Sequence, residues 1–401
     1  MTTLRPPSRA TPATTRPERR GFAAIVPIAR IFSPEHRDAL LLVGTTVFLV
    51  GFGLVMVLSA SSVEEAAAGD PFNRVTRQAI FAGIAIPLML IAGRMPIFFW
   101  KKWAPRVLVV GAVLQLLVFV PGLSYETGGN RNWLIIGDFT MQPSEFVKLA
   151  LVLWIGLVLG RRQDELGDWR RILLPVGPIA GGAIVLVLLG RDLGTAAVML
   201  LIVFGCAYVA GARLAHLAVA FVVVAIGAVV VAFTSESRVG RITAWMNGCG
   251  PEDYASYCWQ PMHGLWALAS GGVLGVGLGN SKAKWSWLPE ADSDYIFAII
   301  GEELGLVGAI VVLALFTILA IALVRILRRA EDPFARIVTG GVLVWIIGQA
   351  FVNIAVVLGL LPVLGVPLPL ISSGGSSLIA VLVAIGVVLS FTRAQSGQGA
   401  R

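Results

Sequence analysis

Five carboxylates, Glu290, Asp292, Asp294, Glu302 and Glu303, are packed into one short run and are the residues best placed to do chemistry. The chain around them is 57% hydrophobic and 13% charged, with mean hydropathy +0.85. Charges at a membrane boundary or inside a span are costly, so they mark working positions. Neighbouring carboxylates raise one another's pKa values, which can poise one as a general base toward a hydroxyl nucleophile. The same oxygens of Asp294, Asp292 and Glu290 could instead hold a divalent cation such as Mg2+ or Mn2+. A third role is capping: Asp294 stands before the apolar start Tyr295-Ile296-Phe297, although Asp292 or Ser293 would cap equally well. Residue types leave these three roles open. Glu302 and Glu303 follow roughly 12–14 Å further along a helix. Gly301 and Gly305 beside them permit close packing, so a structural or groove-lining role is expected for this pair.

A second constellation runs from Gly128 to Lys148. Its first half is a Gly-rich loop carrying Arg131 and Trp133; its second enters an apolar run. Glu145 and Lys148 are spaced i, i+3 and share a helix face, where a salt bridge is natural. Lys148 either closes that pair or meets an anionic substrate, and the planar fork of Arg131 suits phosphate. A third constellation, Gly359 to Ser377, holds three prolines and a Ser-Ser-Gly-Gly-Ser-Ser run. It cannot be a continuous helix, so at membrane depth it must be buried in protein or line a wet cavity. Ser376 and Ser377 at the following helix start could cradle an anion, or the run could be a re-entrant turn. Asp192 is expected to cap the helix that follows it. Arg238 and Arg241 could meet phosphates at the lipid surface or serve as plain interfacial charges.

The elements that must position these groups are membrane helices. Soluble domains carry about 25% charged residues, and several apolar runs here reach the roughly 20 residues a crossing needs. Ten spans are read: 38–59, 79–93, 105–120, 145–160, 172–189, 193–210, 214–233, 294–324, 336–360 and 376–393. The eighth is longer than one crossing requires, so it tilts or extends beyond the lipid. The fold class is therefore an all-α polytopic membrane protein of ten transmembrane helices. A long extracytoplasmic loop, 234–293, joins helices seven and eight. Strand alternation of the β-barrel kind is absent.

Seven arginines crowd residues 1–37, and with both termini inside, 22 of the 31 basic residues fall on inner segments. That is the positive-inside pattern. It accounts for the +8 net charge without nucleic acid. Residues 1–37 read as a disordered basic cytoplasmic tail, 38–393 as the membrane domain and 394–401 as a second cytoplasmic tail. The long loop carries Trp245, Trp259, Trp266, Trp285 and Trp287, rings that favour the headgroup level. Cys249 and Cys258, nine residues apart in the same loop, lie where a disulfide is permitted. Cys206 reads as a buried apolar residue. His36, His216 and His263 are scattered and indicate no zinc site.

Four passages together resemble the SEDS family (shape, elongation, division and sporulation), the FtsW, RodA and SpoVE group. They are Gly53 to Ser62, Gln142-Pro143-Ser144-Glu145 with Lys148, Leu288 to Gly305, and Leu360 to Ser377. Their order and spacing are specific, and they span about 38–393. The resemblance implies a peptidoglycan glycosyltransferase that polymerises lipid II, as donor and acceptor, on the outer face of the bacterial cytoplasmic membrane. It implies Asp294 as the catalytic acid and Glu145 and Lys148 as family residues of the fourth span. A class B penicillin-binding protein and other divisome membrane proteins are the implied partners. The approach Lys284-Trp285 to Glu290 and the Arg-rich tail look more like FtsW, at the division septum, than RodA. The chain departs from the family pattern at Arg191, Asp292, Ser293 and Ser373, and Asp292 makes it ambiguous which acid is poised. A lipid flippase and an ion-coupled transporter are the rival readings. The first would move lipid II without forming glycan; the second would show inverted repeats, and none is evident.

Overall fold

The computed structural model describes residues 34–127, 130–137, 139–163, 167–233, 236–250 and 254–398. Most of the expected N-terminal tail and the last residues of the C-terminal one lie outside the described residues. Twelve helices appear among those described: α1 Pro34–Ala67, α2 Asn73–Ala92, α3 Ile97–Leu117, α4 Pro143–Gly160, α5 Trp169–Leu189, α6 Leu193–Ala210, α7 Leu214–Ala232, α8 Glu236–Asn247, α9 Trp259–Gly271, α10 Ile296–Arg329, α11 Pro333–Val357 and α12 Gly375–Gln398. All ten expected spans fall on helices. Nine are long and apolar enough to cross a membrane. The remaining one, α3, carries Lys101, Lys102 and Arg106 in its first half, which sets it apart by composition.

Local signals explain the helix starts. Pro143 and Pro333 occupy first-turn positions where a missing N–H is harmless. Asp168, Asp192 and Asp332 accept from the amides of the turns they cap. Burial then sorts the helices. In α4 and α12, 78% of the most apolar window is buried, whereas in α7 none is. Charges on α4 are therefore interior, and α7 forms the periphery.

Two features depart from the expected layout. The 121–144 segment is not simply a loop. It folds into an antiparallel sheet of β1 Ser124–Thr127, β2 Asn130–Ile136 and β3 Phe139–Met141, ordered β1-β2-β3. Gly137 supplies the positive φ of 62° just after β2. An otherwise all-α chain thus carries a small sheet, whose Arg131 amide is anchored on the Gly190 carbonyl at 3.0 Å.

The second departure is in α10. Its 34 residues would be roughly 51 Å of straight helix. Gly305, at φ 66° and ψ −164°, breaks it. The amides of Val276 and Gly277 donate to the freed carbonyls of Glu302 and Glu303, both at 3.0 Å. The Leu306 amide returns a bond to Gly272 O at 2.9 Å. Irregular backbone at this depth is tolerated because protein satisfies it. A Cβ at Gly271, Gly275 or Gly305 would strike the opposing backbone, so glycine alone allows this approach. Every residue from Ile296 to Glu303 is buried, which places the first leg of α10 inside the protein.

The 234–293 region also holds more order than a loop, namely α8 and α9. The structure joins Cys249 to Cys258 across a Cα–Cα distance of 5.8 Å. Trp259, His263 and Trp287 pack as a ring cluster, with Trp259–His263 centroids 4.1 Å apart.

Candidate active site

Asp294 sits two residues before α10, half-buried. Its backbone carbonyl accepts from the Asn353 side chain at 2.7 Å, and the same amide group reaches Val366 O at 2.8 Å. This clamp ties the start of α10 to α11 and to the Pro-rich 360–374 segment. Gly365 passes close enough that a Cβ there would touch Asp294 Oδ2 at 3.6 Å. Among the described residues, no hydrogen bond or ion pair occupies the Asp294 carboxylate. Burial pushes its pKa up to about 7; Glu290, Asp192 and Asp292 push the same way, and Arg241 opposes them. Burial, then Asp294, likewise raises the adjacent Tyr295 phenol, whose oxygen is buried without a partner.

Asp292 is differently placed. It is buried and paired with Arg74 at 2.8 Å; Arg74 also reaches Glu65 at 3.1 Å. Its backbone oxygen accepts from the Ser373 amide at 2.9 Å. Burial raises its pKa, with Arg74 pulling the other way. Glu290 adopts φ 55° in the turn and accepts from Ser293 Oγ at 2.6 Å. Asp292 and Glu290 thus each hold a protein partner, and the Asp294 carboxylate holds none among the described residues. No group of three or more His, Cys, Asp or Glu among the described residues is arranged to hold a metal ion.

Lys148 is fully buried on α4. Its Nζ lies 2.8 Å from Glu145 and 2.9 Å from Gln349 Oε1, over the Trp345 ring. Gln349 in turn donates to Pro367 O at 2.9 Å. Trp345, Gln349 and Asn353, at i, i+4 and i+8, form one line down α11 that links the Lys148 pair to the Asp294 clamp. The expected Glu145–Lys148 bridge is therefore present and interior.

Asp192 completes the web. It caps α6 through the Thr195 amide at 2.8 Å, as expected, and accepts from Gln142 at 2.9 Å. Burial raises its pKa, while its Thr195 bonds and the Lys148 charge lower it. Asp192 is thus the one acid that feels Lys148 and is felt by Asp294.

The other expected contacts spread out. Arg131, half-buried on β2, donates to Ser124 Oγ at 2.9 Å. Arg238 on α8 donates to the carbonyls of Val231 and Arg191, both at 3.3 Å. Arg241, one turn further, is the cation that acts on Asp294. Ser376 is buried and accepts from the Gln142 amide at 3.2 Å; Ser377 is half-buried beside it. Two amides of the serine run are already held by protein. Ser373 N goes to Asp292 O and Gly374 N to Gln78 Oε1.

Sequence reasoning missed Arg74, Asn353 and Gln349, and quoted Gln142 only as part of a motif. Arg74 carried a signal, because a cation on the outer side breaks the inside bias and calls for an internal partner. The amides carried none, since a lone Asn or Gln in an apolar span has many possible partners.

Asp294 thus presents a half-buried carboxyl, free of hydrogen bonds and ion pairs among the described residues, at the start of a helix in a bundle of helices long and apolar enough to cross a membrane. Residues 39–397 match the sequence model of the FtsW, RodA and SpoVE family, described as a cell cycle protein. The chain belongs to that family. It is 37% identical over 355 residues to stage V sporulation protein E of Bacillus subtilis, covering 88% of this chain and 96% of the relative. It is also 37% identical over 389 residues to the probable peptidoglycan glycosyltransferase FtsW of Mycobacterium tuberculosis, covering 97% and 72%. Among solved structures, it superposes with a TM-score of 0.72 at 25% identity on a chain described under structural coordination of polymerization and crosslinking by a peptidoglycan synthase complex, covering 88% of this chain and 97% of that one. RodA of Thermus thermophilus gives 0.64 at 27% identity, covering 88% and 96%.

Proposed function

We propose that this chain is an FtsW-like peptidoglycan glycosyltransferase that polymerises lipid II, with Asp294 as its general base. The observation that carries the assignment is the Asp294 carboxyl itself: uncommitted, half-buried and poised at about 7. A base with pKa near the working pH has both the right protonation state and useful driving force. Asp294 takes the proton from the 4-hydroxyl of the acceptor sugar. That oxygen attacks the anomeric carbon of the donor, the bond from that carbon to phosphate breaks, and the polyprenyl pyrophosphate leaves as an anion. The proton on Asp294 passes to water at the rim.

Arg241 is the cation whose charge reaches Asp294, Arg238 stands one turn before it on α8, and Arg131 is the third arginine assigned to this role. They would steady the leaving pyrophosphate. Lys148 acts from inside, holding Glu145 and biasing Asp192 rather than touching substrate. Ser376 and Ser377 help seat α12 against Gln142. The positive-inside pattern and the likeness to FtsW proteins support placing Asp294 on the outer face, both termini in the cytoplasm and the protein at the septum. A class B penicillin-binding protein is the proposed partner, with other division membrane proteins around it; the synthase complex that holds a structural relative supports such a pairing.

The test is polymerisation of purified lipid II by the full chain, with and without its cognate transpeptidase. Glycan chains that depend on Asp294 are expected. An Asp294→Ala protein polymerising at the normal rate, with the partner present, overturns the assignment. Transport of labelled lipid II across vesicles without glycan would favour the flippase reading.

A further inference from the structure

A cavity of about 450 Å³ lies between α4 and α5, far from Asp294. The Pro143 end of α4 is joined to the Asp294 end of the molecule through Gln142, Asp192 and Ser376. The cavity is at the other end of α4, roughly 27 Å away along an 18-residue helix. Arg161 and Arg162 stand at its mouth, and Trp154, Leu157, Leu174 and Pro178 are among its walls. Among the described residues, no carboxylate lines it.

Three features point to one ligand chemistry. The two guanidinium groups are exposed and attract an anion with forked donors. Seven residues deeper, roughly 10 Å along the helix, the Trp154 indole N–H is buried without a partner, a donor awaiting an acceptor below the charged layer. The remaining walls are apolar, and Leu174 on α5 is 71% exposed, so the cavity opens sideways to the bilayer. A free inorganic anion would satisfy only the first feature. A protein helix would match the walls but offers no anion at this depth.

We propose that this cavity binds an anionic glycerophospholipid of the leaflet opposite the Asp294 face. Arg161 and Arg162 hold its phosphate, the Trp154 N–H donates to an ester carbonyl, and the chains leave past Leu174. Basic pockets between membrane helices on the cytoplasmic side suit such headgroups. The site does not depend on the glycosyltransferase reading and adds no step to it.

Native mass spectrometry of the full-length protein, equilibrated with equal phosphatidylglycerol and phosphatidylcholine, tests this directly. The expected result is one retained phosphatidylglycerol preferred at least about tenfold, the worth of two arginines near an anionic surface. Arg161→Gln with Arg162→Gln should abolish the preference. Trp154→Phe should weaken retention of either lipid several-fold, and it serves alone if the double variant fails to fold. Removing two charges elsewhere on the same face, Lys102→Gln with Arg106→Gln, should leave the preference intact. Equal retention of the two lipids by the wild-type protein overturns the proposal. So does an undiminished preference in the arginine double variant, or displacement of the lipid by inorganic phosphate at equal concentration. A photo-crosslinking amino acid in place of Leu174 should capture lipid in native membranes; a protein adduct there would assign the cavity to a partner helix instead.

Discussion

Two acidic pairs flank the first leg of α10 and have opposite fates. At the inner end, Glu302 accepts from Ser281 Oγ and from the amides of Lys282 and Ala283, so one carboxylate pins the 281–283 turn. Glu303 accepts from Ser59 Oγ at 2.7 Å and pairs with the buried Lys284 at 3.3 Å. At the outer end, Asp292 is paired with Arg74, and only Asp294 keeps its oxygens uncommitted. An acid fully engaged by donors serves as a fastener, because its charge is already spent on holding backbone in place. An acid that is desolvated but unpaired is poised to take a proton.

The sharpest way to break this contrast is Asp294→Asn. It should lower glycan polymerisation about 100- to 10,000-fold, the usual worth of a positioned base, with an unchanged thermal midpoint. Loss of folding instead would make Asp294 a fastener like the others. Glu303→Gln should do the reverse. It strands Lys284 in the interior and should cost about 3–5 kcal/mol of stability, read by denaturant or thermal melting, while the acid limb of the pH–rate profile stays in place. Lys148→Met belongs with it: the buried Glu145 would lose its cation at a similar cost, and Glu145→Gln with Lys148→Met should recover part of the loss. Asp292→Asn, by contrast, should retain activity within about tenfold; a loss as deep as that of Asp294→Asn would mean the two acids share the base.

The smallest effects concern pH. A general base works when deprotonated, so activity should rise with pH through about 7 and then level off. Glu290 raises the Asp294 pKa, so Glu290→Gln should move that limb to lower pH. Arg241 lowers it, so Arg241→Gln should move the limb to higher pH. An unmoved limb in both variants would show that neither charge acts on Asp294.

The membrane class, the positions of the long helices and the capping acids were legible because they rest on local chemistry. Apolar runs of sufficient length must become helices in lipid, and Asp192 caps the turn that follows it. The Glu145–Lys148 pair was legible for the same reason, being three residues apart on one face. The sheet at 124–141 was hidden, because its strands are short and β2 runs from polar Asn130-Arg131-Asn132 into apolar Trp133 to Ile136 without the alternation that marks a strand. The break at Gly305 was hidden as well; a glycine in an apolar run reads as a packing site, and only the approach of Gly271 and Gly275 makes it a joint.

Composition and order along the chain thus determined that five acids cluster at the start of one long helix and that this helix belongs to a membrane bundle. They did not determine which acid stays unpaired. That was decided by contacts between residues 218 apart, Arg74 with Asp292, and 244 apart, Ser59 with Glu303. Covalent neighbours fix local dihedrals and helical faces, but the pairing of a buried charge is settled only when distant helices pack and exclude water from every partner except one.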